Sequence, residues 1–180
     1  MRHELNIHIQ SQSALVKRAK FFIICSIFIG LFLVLLHALG FRLNRTASFP
    51  LGIYKFKKSE TNYAIGELVA FCPPNEGFFK LAVERGYLTK GECDNTMPTL
   101  IKRVVALEGS EFSITDRVVI NGVVQRNSEI KLHDGQNRPL SHAQSGQVLN
   151  GQTFVLCDYS TNSFDSRYFG PIERSCSRKL

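Results

Sequence analysis

Arg117-Val118-Val119-Ile120-Asn121-Gly122-Val123-Val124-Gln125 decides the fold class. Two β-branched runs flank Asn-Gly, the dipeptide that best tolerates the positive φ needed at both centres of a two-residue hairpin turn. Working outward, Leu100 to Leu107 (LIKRVVAL) is rich in β-branched residues and stops at Gly109. Glu67 to Phe71 (ELVAF) is a short apolar run ended by Pro73-Pro74, and a second Asn-Gly, Asn150-Gly151, precedes Gln152 to Leu156 (QTFVL). Residues 76–98 and 126–148 carry many Gly, Asn, Gln and charged residues and read as loop-like inserts. Phe78-Phe79 in the first insert suits either a core position or a dip into lipid. The expectation is a mainly β domain of short antiparallel strands, without repeats.

Toward the N-terminus the chain changes character. Phe21 to Phe41 (FFIICSIFIGLFLVLLHALGF) has no charged side chain. As a helix it would be about 31 Å long, close to the thickness of a bilayer core. A cleaved secretory signal has a shorter apolar core, of about 7–15 residues. The segment therefore reads as an uncleaved transmembrane anchor. Arg2, Lys17, Arg18 and Lys20 precede it against one acid, Glu4, and three of these cations abut the span. Arg42, Arg45, Lys55, Lys57 and Lys58 follow it at a greater spread. That bias favours an inside N-terminus. The expected organisation is a cytoplasmic tail at 1–20, an anchor at 21–41 and an outer, periplasmic β-rich domain at 42–180, in a bacterial inner membrane.

Residues 42–180 carry 18 Lys+Arg and 14 Asp+Glu. A mildly basic domain suits a surface near anionic lipid. It has no long Lys/Arg run, so no nucleic-acid partner is expected. Cys72, Cys93, Cys157 and Cys176 lie beyond the anchor and allow three pairings, or free thiols. Cys72 and Cys93 bracket a Gly- and Pro-containing insert and rank first.

Several catalytic patterns are absent. There is no G-x-S-x-G and no H-E-x-x-H, no glycine-rich phosphate loop follows a strand, and the histidines lack zinc spacing. No metal or cofactor is expected. Two lysine-based serine arrangements remain. Ser128-Glu129-Ile130-Lys131 matches S-x-x-K, which would work on one helical turn, but its usual companions S-D-N and K-T-G are missing. The other is spread over three blocks: Asn44-Arg45-Thr46-Ala47-Ser48-Phe49-Pro50-Leu51-Gly52-Ile53-Tyr54, then Leu100 to Gly109, then Asp158 to Pro171 (DYSTNSFDSRYFGP).

In order and spacing these blocks resemble the type I signal peptidases, which use a Ser/Lys dyad on a β fold. The short length, the S-x-P-x-G-x-Y form and the single span look like the TraF branch, the conjugative transfer signal peptidases. Residue by residue, the resemblance implies Ser48 as nucleophile and Lys102 as general base. The Ser48 backbone N–H and the Thr46 hydroxyl would form the oxyanion hole. Ser163 would orient the Lys102 amine, and an Asp165–Arg167 ion pair would brace the loop that carries Ser163. Phe49 stands where many relatives have Met, which should alter packing and not chemistry. Cys157-Asp158-Tyr159 replaces the usual Gly-Asp-Asn, leaving Asp158 without an assigned role.

The chemistry fits those residue types. A serine hydroxyl needs a neighbouring base to become a good nucleophile. An ordinary lysine titrates at about 10.4, and holding it neutral near pH 7 costs about 4 kcal/mol, within reach of burial. On a strand at 100–107, Leu100, Lys102 and Val104 share one face and Ile101, Arg103 and Val105 the other. Ser48 lies seven residues after Phe41, at most about 24 Å of extended chain, which keeps it near the membrane face.

The resulting expectation is a membrane-bound serine endopeptidase acting on a membrane-tethered precursor. The TraF resemblance implies a conjugative pilin propeptide, its acyl-enzyme resolved by water or by the pilin's own amine. Lipid and other conjugation-apparatus proteins are the remaining expected partners. Two alternatives stay open: a general secretory signal peptidase, and a non-catalytic membrane-anchored component of the transfer apparatus.

Overall fold

The computed structural model describes residues 2–44, 49–57, 62–91, 93 and 96–179. The chain divides into two units, residues 1–41 and 42–180. The first consists almost entirely of helix α1 (Arg2–Ala38). Within it Leu15–Ala38 is long and apolar enough to cross a membrane. The helix is longer at its start than the expected 21–41 span and shorter at its end. Gly40 takes a φ of +87° and its N–H bonds the carbonyl of His37, a helix stop that a residue with a side chain resists. Phe41, apolar but past that stop, opens a strand instead.

After the helix, β1 (Phe41–Asn44) pairs with β2 (Gly52–Lys55). Beyond this pair the chain builds a five-stranded antiparallel sheet. Its strands are β3 (Leu68–Phe71), β4 (Leu100–Leu107), β9 (Gln152–Leu156), β10 (Ile172–Glu173) and β11 (Ser177–Lys179), in the order β10-β9-β4-β3-β11. A four-stranded antiparallel sheet runs β7-β6-β5-β8, from β5 (Glu111–Ile114), β6 (Arg117–Ile120), β7 (Val123–Glu129) and β8 (Gly146–Gln147). Asn121 and Gly122 form the tight turn between β6 and β7, at φ of 47° and 80°. The mainly antiparallel β expectation holds, and β4 and β9 have the bounds read from the sequence.

The loop-like reading of 76–98 and 126–148 needs correction. α2 (Gly77–Glu84) occupies the first, because Phe79 and Ala82, three residues apart, bury on one helix face. Phe79 is 8% exposed and packs edge-to-face with Phe71 and against the tilted ring of Phe169, so it is a core residue; Phe78 is 37% exposed. Cys72 and Cys93 are joined by a disulfide across this insert. In the second, β7 continues to Glu129 and β8 occupies 146–147.

β4 and β9 serve two cores. Val104 and Val155 belong to a cluster with Val69, Phe71 and Phe79; Ala106, Phe154 and Leu156 belong to another with Phe112, Val118 and Ile120. Strand alternation explains β9. On β4 the pairing register shifts between Val104 and Ala106, and this bulge puts Ala106 in the second cluster, against which Val105 also packs.

Candidate active site

Lys102 sits in the middle of the larger sheet, opposite Val69 on β3. Its side chain is 1% exposed. Leu100 and Val104, two residues to either side, both lie in the first core cluster. Burial pushes the Lys102 amine below its ordinary value of 10.5, because the apolar interior disfavours the charged form. The carboxylate of Asp165 opposes that shift, and the Arg167 guanidinium acts in the same direction as burial. The amine donates to Ser163 Oγ at 2.9 Å.

Two residues slightly further along the chain hold Ser163 in place. Asp165 and Arg167 are 0% exposed and form a two-point ion pair, Nε to Oδ1 at 2.7 Å and Nη2 to Oδ2 at 2.9 Å. The pair is fully furnished with hydrogen bonds. Asp165 also accepts from the N–H of Cys157 at 3.0 Å and caps α3 (Ser166–Phe169). Arg167 donates to the carbonyls of Asn127 and Glu129 at 2.9 and 3.0 Å, on β7. A buried charge pair survives only with such satisfaction. Here the partners lie on the smaller sheet, so the Ser163 loop is fixed to both sheets.

Arg45, Thr46, Ala47 and Ser48 lie outside the described residues, and with them the nucleophile and oxyanion-hole positions expected from the sequence. Both ends of that stretch are described. The Asn44 amide donates to the carbonyls of Phe49 and Pro50, each at 3.1 Å. The Tyr54 hydroxyl donates to Pro50 O at 2.8 Å. Phe49 is buried with Ile101 and Cys157, the chain neighbours of Lys102 and Asp158. Arg103 lies over the Phe49 ring, 5.9 Å from its centre.

Asp158 acquires a partner the sequence did not reveal. Arg103 Nε meets Asp158 Oδ2 at 2.8 Å. Strand alternation turns Arg103 away from the Lys102 side, but nothing local indicates an acid 55 residues on. Asn127 escapes sequence reasoning as well: its φ is +49°, and its amide donates to Asp158 O at 2.7 Å. The S-x-x-K alternative fails on geometry. Ser128 is buried on a strand, where its hydroxyl donates to Gln125 O at 2.7 Å and accepts from Val118 N at 3.2 Å. Lys131 comes just after the strand with no helical turn between them.

A cleft of about 750 Å³ opens on Lys102 and Ser163. Leu88, Pro98, Leu100, Leu140, Phe164 and Tyr168 supply its apolar walls, and Lys131, His133, Asp134 and Asn162 its polar part. The segment 131–140 is strapped to the end of the α2 insert. Asp134 accepts from the Tyr87 hydroxyl and pairs with Arg138 at 2.6 Å, while Arg85 donates to Pro139 O at 2.7 Å. A cleft of this size with largely apolar walls and a buried amine at its edge suits a peptide segment.

Residues 14–176 match the family described as signal peptidase, peptidase S26. Over 136 residues the chain is 40% identical to the conjugal transfer protein TraF of Agrobacterium fabrum, covering 76% of this chain and 77% of that protein. It is also 40% identical over 139 residues to a plasmid transfer protein TraF of Escherichia coli, with the same coverages. A solved signal peptidase I from Enterococcus faecalis V583 is similar at 22% identity and a TM-score of 0.40, over 66% of this chain and 96% of that one.

Proposed function

The chain belongs to the signal peptidase family, peptidase S26, and from that premise we propose that it is a membrane-anchored serine endopeptidase of conjugation, working through Ser48 and Lys102. The neutral Lys102 amine takes the Ser48 proton as Oγ attacks the scissile carbonyl. The Ser48 N–H and the Thr46 hydroxyl hold the oxyanion. The amine returns its proton to the leaving nitrogen, and an acyl-enzyme remains. Water or a substrate amine, deprotonated by Lys102, then releases the acyl group. Ser163 keeps the amine aimed, and the Asp165–Arg167 pair braces Ser163.

One observation carries this reading: an amine 1% exposed, depressed by burial, and hydrogen-bonded at 2.9 Å to a serine whose loop is locked by a buried ion pair. A lysine kept for structure alone would gain nothing from losing its charge. The burial of Phe49, the residue after Ser48, beside Ile101, the residue before Lys102, supports the pairing of these two positions in the dyad. The TraF names of the relatives support a transfer-related precursor as substrate. We take that precursor to be pilin-like and tethered to the inner membrane, with the peptidase domain on the periplasmic side.

The experiment is co-expression with the candidate precursor and gel analysis of its maturation. Ser48→Ala and Lys102→Ala are each expected to abolish processing, a loss of at least about 10³-fold. Normal maturation by both variants would leave the non-catalytic assembly role as the surviving reading. Complementation of a missing host signal peptidase would instead indicate the general secretory activity.

A further inference from the structure

We propose that the Lys131 side of the cleft is a carboxylate-binding subsite for the substrate. The inference rests on reading this cleft as the substrate site of the Ser48/Lys102 peptidase, and it adds a chemical preference to it. Adjacent residues join the two lysines of the cleft. Ser163 accepts from Lys102, and Asn162 accepts from Lys131 through its side-chain oxygen. A cation therefore stands one residue along the loop from the proposed base.

Three features make that cation a recognition group. The first is charge balance. Asp134 is the acid that lines the cleft, and it is already engaged by Arg138, by the Tyr87 hydroxyl and by the N–H groups of Gln136 and Arg138, both at 2.9 Å. The Lys131 ammonium meets the neutral Asn162 amide instead. The second is placement. The exposed Lys131 ammonium lines a cleft with apolar walls, so a ligand seated there displaces water from around the charge and meets it directly. The third is pre-organisation. The Lys131 N–H donates to the buried Tyr168 hydroxyl at 3.2 Å, and the Asn162 N–H donates to Ser160 Oγ at 3.2 Å. Both ends of the amine's support are thus fixed before a ligand arrives, which lowers the ordering cost of binding. His133, also lining the cleft, is held by a strand-like bridge to Pro139 and adds a second potential donor.

A carboxylate that reaches this subsite can be the side chain of an acidic residue or the free C-terminus of a peptide. Isothermal titration calorimetry separates them, using the full chain in neutral detergent micelles. Three acetylated hexapeptides of alanine and leucine are compared. One has an amidated end and no charge, one has a free C-terminal carboxylate, and one has an amidated end and an internal glutamate. At least one carboxylate peptide is expected to bind about tenfold tighter than the neutral one. Preference for the free terminus assigns the site to a chain end, and preference for glutamate assigns it to a side chain. Lys131→Gln keeps a donor for Asn162 and removes the charge, so it should erase the roughly tenfold preference for the carboxylate peptide over the neutral one; Lys131→Arg should restore it. Equal affinities, no binding of either carboxylate peptide, or a preference that survives in Lys131→Gln would overturn the proposal. None of these readouts needs turnover. Precursor maturation in Ser48→Ala is scored separately, so failure of the dyad and failure of the subsite appear in different experiments.

Discussion

Residues 157–167 carry two aspartates, each paired with an arginine, in opposite surroundings. Asp165–Arg167 has 0% of either side chain exposed and is spaced two residues apart. Asp158–Arg103 leaves 40% and 33% exposed and joins positions 55 residues apart. The chemistry is the same and the contact distances, 2.7 and 2.8 Å, nearly so. What differs is water. The buried pair cannot lose one member without stranding a charge in the interior, whereas the exposed pair can hand either member to solvent. The first is a structural commitment of the fold, and the second is an adjustable tie between β4 and the loop.

The sharpest way to break the contrast is Arg167→Met. It leaves Asp165 uncompensated and should cost about 3–5 kcal/mol in chemical denaturation of the full chain. A cost near 1 kcal/mol would mean that water reaches the site and the contrast is false. Lys102→Met probes the same interior without stranding a charge. The folded amine lies below 10.5 because burial disfavours its charged form. Unfolding therefore takes up a proton between the folded value and 10.5, and wild-type stability must rise with pH across that window. The methionine variant lacks this slope. It should be more stable by about 1 kcal/mol near neutral pH, with the difference shrinking as pH climbs toward 10.5. A pH-independent difference would contradict the depressed amine. The smallest effect belongs to Asp158→Asn: under about 1 kcal/mol, and less at high salt.

What the sequence disclosed about this site depends on the range of the interactions. The β4 and β9 strands and the 121–122 turn were legible because β-branched runs and Asn-Gly act locally. The apolar face shared by Leu100, Lys102 and Val104 was legible for the same reason. α2 was not, since two turns of helix give too short a period to stand out among glycines and charges. The end of α1 is hidden because Leu39 and Phe41 prolong the apolar run past Gly40, where the backbone has already turned. In the sequence Lys131 stands out only within S-x-x-K, and it takes the cleft to reveal its association with Asn162. Arg103–Asp158 was invisible because a pairing across the sheet leaves no mark on either neighbourhood.

Asn127 gives the smaller sheet a say in the chemistry it does not contain. Its left-handed backbone lets one residue grip the loop twice, with its amide on the Asp158 carbonyl and its own carbonyl on Arg167. The outer hairpin thereby becomes a template on which the loop is set. A substitution that re-registers β7, remote as it looks, would shift the frame from which Ser163 reaches toward Lys102.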